Sequence, residues 1–187
     1  MIKFINLLRE SFEGDEVNEY DYFFKSNDLI TPETIKKIKS TDRIVVGTED
    51  KLDLSRSISS QKIGIKPKGL WYGFGTSWID FIRSEMPDRE TQHVFKIEIE
   101  TNSEDMIDVD TEKIFLWFSK RYKDPEKDGS NSQINWPEIS KKYKGIEIPE
   151  YFDKFSRDYD HFWYIPWDIA SGCIWDTSII KNVIKLQ

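Results

Sequence analysis

The segment Lys66-Pro-Lys-Gly-Leu-Trp-Tyr-Gly-Phe-Gly-Thr-Ser-Trp78 is the densest chemistry-bearing stretch of the chain. Gly69, Gly73 and Gly75 carry no side chain, so their backbone N–H and C=O groups can approach a ligand closely. Trp71, Tyr72 and Trp78 offer flat ring faces beside that bare backbone. Such a surface suits a planar heterocycle such as nicotinamide or adenine. The plainer alternative is a strand and tight turn whose rings fill the core. A second feature is Glu147, a lone acid between Ile146 and Ile148. Strand alternation turns it away from the face that the two isoleucines bury. A carboxylate in that position can stabilise an oxocarbenium-like centre or take a proton, as acids do in glycoside chemistry. The alternative is an ordinary solvent-side residue. Arg43, at the start of a β-branched run, is placed to reach a phosphate.

Other constellations are weaker. Ser171 and Cys173 lie between aromatic anchors in Trp163–Asp176, but the chain has only two histidines, His93 and His161, and no Gly-x-Ser-x-Gly elbow. A hydrolase triad is therefore disfavoured. Two histidines and one cysteine also leave no usual zinc ligand set. The acidic run Glu104, Asp105, Asp108 and Asp110 lacks the glycine and closing glutamate of a calcium loop. It reads as a solvated turn, and no metal is expected.

The elements that must position these residues follow from patterning. Ile2, Ile5, Leu7 and Leu8 predict a short amphipathic helix. Thr31-Pro32 predicts the start of another, with Thr31 as N-cap. Strands are expected at Arg43–Gly47, Gly69–Gly73 and His93–Glu100, the last alternating cleanly. Helices are expected at Ser77–Arg83, Thr111–Tyr122, with Thr111 as N-cap, and Asn135–Tyr143. Further strands are expected at Tyr143–Ile148, Phe162–Ile165, Gly172–Trp175 and Ser178–Leu186. Asp124–Gln133 and Ser55–Lys68 read as exposed loops. The mixture predicts an α+β fold in one domain, 1–187, with residues 1–40 as a helical extension and 43–187 as the core.

Composition sets the outer limits. The 187 residues suffice for a core without staples. The chain is 38% hydrophobic and 33% charged, which separates it from disordered chains. Its 34 acidic and 27 basic residues leave a net charge of −7, which disfavours broad nucleic-acid binding. A single cysteine excludes a disulfide framework. No run approaches the length of a membrane span, and the opening residues are too acidic for a signal peptide. A cytoplasmic protein with no membrane partner is the expectation.

Several of these pieces fall in a recognisable order. Arg43-Ile-Val-Val-Gly-Thr48 is followed by Gly-Leu-Trp-Tyr and the Trp-Ile-Asp-Phe-Ile helix. Val-Phe-Lys-Ile-Glu-Ile comes next, then Tyr-Lys-Gly-Ile-Glu-Ile148, and finally Cys-Ile-Trp-Asp-Thr-Ser-Ile-Ile-Lys-Asn-Val183. Over residues 43–187 this order resembles the ADP-ribosyltransferase-like superfamily. The resemblance implies a split pair of small antiparallel sheets gripping NAD in a cleft, with ADP-ribose passed to an acceptor and nicotinamide released. It would place Gly47 and Thr48 at the nicotinamide amide, and Trp71, Tyr72, Gly73 and Trp78 around the nicotinamide pocket. Arg43 would lie at a phosphate. The register where that family carries its glutamate holds Ala170-Ser171-Gly172 here. Asp168 lies just upstream, and Glu147 is the nearest strand-borne glutamate, so these two are the candidate catalytic acids. The family's His-Gly-Thr and Ser-Thr-Ser motifs are absent. The resemblance thus implies either transfer from NAD, with a protein among the possible acceptors, or binding of NAD or ADP-ribose without turnover. The rival reading is a non-enzymatic interaction or ligand-binding module with a tryptophan-rich surface.

Overall fold

The computed structural model describes residues 30–54, 60–86, 93–100, 104–126 and 132–187. The helix expected around Ile2–Leu8 lies outside the described residues, as do parts of both expected loops. Helices are α1 (Pro32–Lys36), α2 (Ser77–Glu85), α3 (Glu112–Tyr122) and α4 (Trp136–Ile139). Strands are β1 (Arg43–Gly47), β2 (Leu70–Phe74), β3 (His93–Ile99), β4 (Met106–Asp108), β5 (Gly145–Ile148), β6 (Ser171–Ile174) and β7 (Ile180–Lys185). The fold is α+β.

The seven strands form a hydrogen-bonded sheet in the order β4-β5-β6-β2-β1-β3-β7. Every ladder is antiparallel except β4–β5. Met106 on one edge strand and Phe95 and Ile97 near the other edge belong to one apolar cluster, so the sheet curls over that face. Val45, Tyr72, Ile174 and Ile179 fill the concavity between them.

The opposite face is covered in two patches. Ile44, Val46 and Val94 lie under α1 and α2, against Ile35, Ile79 and Ile82. Ile146, Ile148 and Cys173 lie under α3, α4 and a 3₁₀ segment, Tyr159–Trp167. The aromatic content goes here. Phe115 stacks on Phe155 with centroids 4.3 Å apart and on Trp163 at 5.3 Å. Because both faces are covered at β3, Val94 is buried as fully as Phe95, and the clean alternation of that strand does not separate core from solvent.

Local chemistry explains the element starts. Thr31 and Thr111 accept from the backbone N–H of Thr34 and Ile114, capping α1 and α3 as expected. Asn135 likewise caps α4, but that helix stops at Ile139 instead of Tyr143.

Two expectations are overturned. Phe162–Ile165 is not a strand; it lies inside the 3₁₀ segment. Trp163, Tyr164 and Trp167 are spaced for one helical face and all three are buried, whereas a strand would send Trp163 and Tyr164 to opposite sides. The acidic stretch is not only a turn, because Met106–Asp108 pairs in parallel with β5. Its signal is short, with Met106 and Ile107 hidden among aspartates and glutamates.

Candidate functional site

Arg43, Tyr72 and Glu147 meet on the concave face. Across the sheet, Asp108, Glu147, Gly172 and Tyr72 occupy one row of paired positions on β4, β5, β6 and β2. Tyr72 and Glu147 are two strands apart, about 10 Å between backbones. The phenol spans that gap because Gly172 leaves it open. A Cβ on Gly172 would lie 2.4 Å from the Tyr72 hydroxyl oxygen.

The Tyr72 hydroxyl donates to Glu147 Oε1 at 2.5 Å. Arg43 closes the cluster from β1, its Nε donating to Oε1 at 2.5 Å and its second terminal nitrogen to Oε2 at 3.0 Å. This two-pronged pairing is the geometry that a guanidinium offers a carboxylate. Glu147 is only 7% exposed, so the expected solvent-side alternative does not hold. It is a buried acid whose partners arrive from two distant segments. The Arg43 guanidinium also rests over the Phe74 ring, 5.8 Å from its centroid.

Electrostatics follow from burial and pairing. Burial pushes the Tyr72 phenol well up, and the neighbouring Glu147 adds to that, so the hydroxyl stays a neutral donor. Burial works against the Arg43 charge, but the hydrogen bond and charge of Glu147 outweigh it and hold the guanidinium charged. Asp108, beside Glu147 on β4, is raised by burial and by the charges of Asp110 and Glu147. The cluster can therefore hold an anion or hydroxyl-rich group against the remaining guanidinium N–H donors, with a carboxylate alongside.

The other expected site residues are distributed differently. Trp71 and Tyr72 are consecutive strand residues and point to opposite faces, so they do not form one platform. Trp71 and Trp78 instead line a cleft of about 270 Å³ on the helix-covered side, with Lys66, Trp167 and Ser171; Tyr72 borders it. Gly73 lets the start of α2 pack closely on β2, since a Cβ there would come within 2.9 Å of the Ser77 hydroxyl and Trp78 Cβ. Gly47 and Thr48 lie at the far end of β1 from Arg43, about 13 Å along the strand. Asp168 lies apart from Glu147 in a broader groove beside α2, with Asp80, Arg83 and Arg157. Its φ of 47° is the sole positive value at a non-glycine position among the described residues.

Two participants escaped sequence reading. Gly172 matters only because Tyr72 lies over it, and Lys66 matters only because its ammonium sits 4.9 Å over the Trp71 ring. The Gly-rich signal around Lys66 marked the region without marking that residue.

No group of three or more His, Cys, Asp or Glu side chains suited to a metal is present among the described residues. Among the same residues, no helix is long and apolar enough to cross a membrane. Compared with models of known protein families, with curated proteins and with solved structures, the chain matches none.

Proposed function

We propose that the chain binds NAD, or an ADP-ribose-like portion of it, at the Arg43–Tyr72–Glu147 cluster in the manner of an ADP-ribosyltransferase-like protein. The observation that carries this reading is the convergence of those three side chains, each singled out for ligand contact, from β1, β2 and β5. Arg43 supplies guanidinium donors to a phosphate oxygen. The Glu147 carboxylate faces the positive charge that develops on the ribose as its bond to nicotinamide breaks.

In the transfer, the electron pair of the C1–N bond leaves with nicotinamide, which thereby becomes neutral. An acceptor hydroxyl or amine then bonds to C1 and loses its proton to solvent. A preorganised charge of this kind contributes about 3–4 kcal/mol to such a step. The split pair of sheets and the choice of acceptor belong to the same proposal.

The test is nicotinamide release from NAD, with NAD-dependent thermal stabilisation read in the same samples. Release that is lost in Glu147→Gln and retained in Asp168→Ala supports turnover at this cluster. Stabilisation without release, weakened in Arg43→Gln, supports a binder. Neither release nor stabilisation would overturn the reading.

One observation favours the interaction-module alternative. Leu116 and Trp117 are 46% and 54% exposed on α3, and large apolar side chains left on a surface suit a protein partner.

A further inference from the structure

Four tryptophans are buried among the described residues, and three of them place their indole N–H on an acceptor. Trp136 donates to the Gly64 carbonyl at 3.0 Å, Trp163 to the Ser119 hydroxyl at 3.1 Å, and Trp175 to the Tyr143 carbonyl at 2.6 Å. Trp167, only 1% exposed, has an indole N–H with no acceptor among the described residues. A buried donor left unmatched costs about 1–3 kcal/mol, so it points to a missing acceptor.

Trp167 is part of the wall of the cleft that Trp71, Trp78 and Lys66 also line. Lys66, an exposed residue, brings a second donor. Its ammonium lies over the Trp71 ring and makes no ion pair among the described residues. Partial desolvation lowers its pKa, against an opposing pull from Asp168 and Cys173. The two hydroxyls nearby have spent their one hydrogen, Ser171 on the Ile169 carbonyl at 3.1 Å and Ser77 on the Ala170 carbonyl at 3.2 Å. The donors left to this wall are thus the Trp167 indole N–H and the Lys66 ammonium, set among aromatic rings.

We propose that this cleft binds a small planar aromatic carboxylate, its ring against Trp71, Trp78 and Trp167 and its carboxylate on Lys66 and the Trp167 indole N–H. The volume, about 270 Å³, falls just below the range of drug-sized sites and fits a molecule of one or two rings. One ammonium with Asp168 nearby matches a single negative charge better than a phosphate. The cleft lies on the opposite side of the sheet from the Arg43–Glu147 pair, so this site stands or falls independently of NAD binding.

The test follows the indole N–H resonances of the full chain during titration with indole-3-carboxylate and benzoate, beside the neutral indole-3-carboxamide. The Trp167 resonance is identified as the one missing in Trp167→Phe. A saturable shift of that resonance by the carboxylates is expected, with roughly tenfold weaker binding in Lys66→Met, recovery in Lys66→Arg, and no change in Lys181→Met, a loss of charge at an exposed lysine of β7. Should Lys66→Met fail to fold, the Lys66→Arg variant and the carboxamide comparison decide. No saturable shift, equal binding of the carboxamide, or binding untouched by Lys66→Met would overturn the proposal.

Discussion

Glu147 on β5 accepts both prongs of the Arg43 guanidinium on β1, across 104 residues of sequence and two intervening strands of the sheet. The pair is mostly withdrawn from water, so its halves depend on each other more than a surface ion pair does. Removing one partner from such a site strands the other, which typically costs about 3–5 kcal/mol, whereas replacing both with apolar residues costs much less. Glu147→Leu is therefore expected to destabilise the fold strongly, and Arg43→Met combined with Glu147→Leu to restore part of the loss. Denaturant unfolding of the two singles and the double, read as a cycle, checks this; simple additivity would contradict the coupling.

Gly172 is the gap that lets Tyr72 reach Glu147. In Gly172→Ala the new methyl would collide with the Tyr72 ring and hydroxyl. The phenol must then move off the carboxylate, at a cost of about 1–3 kcal/mol for the overpacking. Tyr72→Phe removes the hydrogen bond and keeps the ring, with a smaller expected cost of about 1–1.5 kcal/mol. Melting temperatures in that order support this account of the row, and an unchanged Gly172→Ala protein would refute it.

Asp42 gives the protein a definite acid sensitivity. It is nearly buried; its carboxylate accepts from the Lys39 N–H at 2.9 Å and pairs with the Lys96 ammonium at 3.0 Å. Burial alone would raise its pKa, but these partners outweigh burial and hold it below the ordinary Asp value. A carboxyl with a depressed folded-state pKa contributes stability above its unfolded value, about 3.9, and loses it as pH falls through the folded one. Asp42→Asn should accordingly be less stable than the parent at neutral pH, by about 1–2 kcal/mol. The difference should shrink below about pH 4. Urea midpoints measured across pH 3 to 7 decide it, on the order of 1 unit per step. A constant difference would mean that the charge of Asp42 plays no part.

Cys173 lies in the middle of β6, fully buried against the aromatic layer. Burial pushes its thiol pKa well up, and the opposing pull of Lys66 is the lesser effect. Thiolate is the reactive form, so the native protein should resist alkylation and label only at the rate at which it opens. Mass spectrometry after brief iodoacetamide treatment, with and without denaturant, should show labelling only in the denatured sample.

Asp168, at φ 47° and ψ −39°, sits at the centre of a tight turn closed by the Ile169 N–H on the Trp167 carbonyl, a backbone conformation that costs an L residue about 1–3 kcal/mol. Asp168→Gly should therefore melt no lower than the parent, because relief of strain offsets the entropy a glycine adds to the unfolded chain. A clear loss of stability would mean that the Asp168 side chain contributes more than its backbone conformation costs.

The sequence by itself determined the local pieces. Thr31 and Thr111 cap helices where their spacing predicts, β1, β2 and β5 lie where β-branched and aromatic runs place them, and Ile146 and Ile148 fix Glu147 on the sheet face opposite their own through strand alternation alone. Arg43, Tyr72 and Glu147 were each legible as candidates, because charge or a phenol stood out against an apolar strand. Their meeting was not legible, since it depends on the strand order β5-β6-β2-β1, on the register that puts Gly172 between Glu147 and Tyr72, and on the curl of the sheet. Pairing partners are chosen by long-range packing, which no local window contains. The same reason separates Trp71 from Tyr72, whose adjacency in sequence suggests one platform while the pleat assigns them to two faces. It also leaves Lys66 unmarked, because a lysine acquires a site only when the fold sets it over a ring.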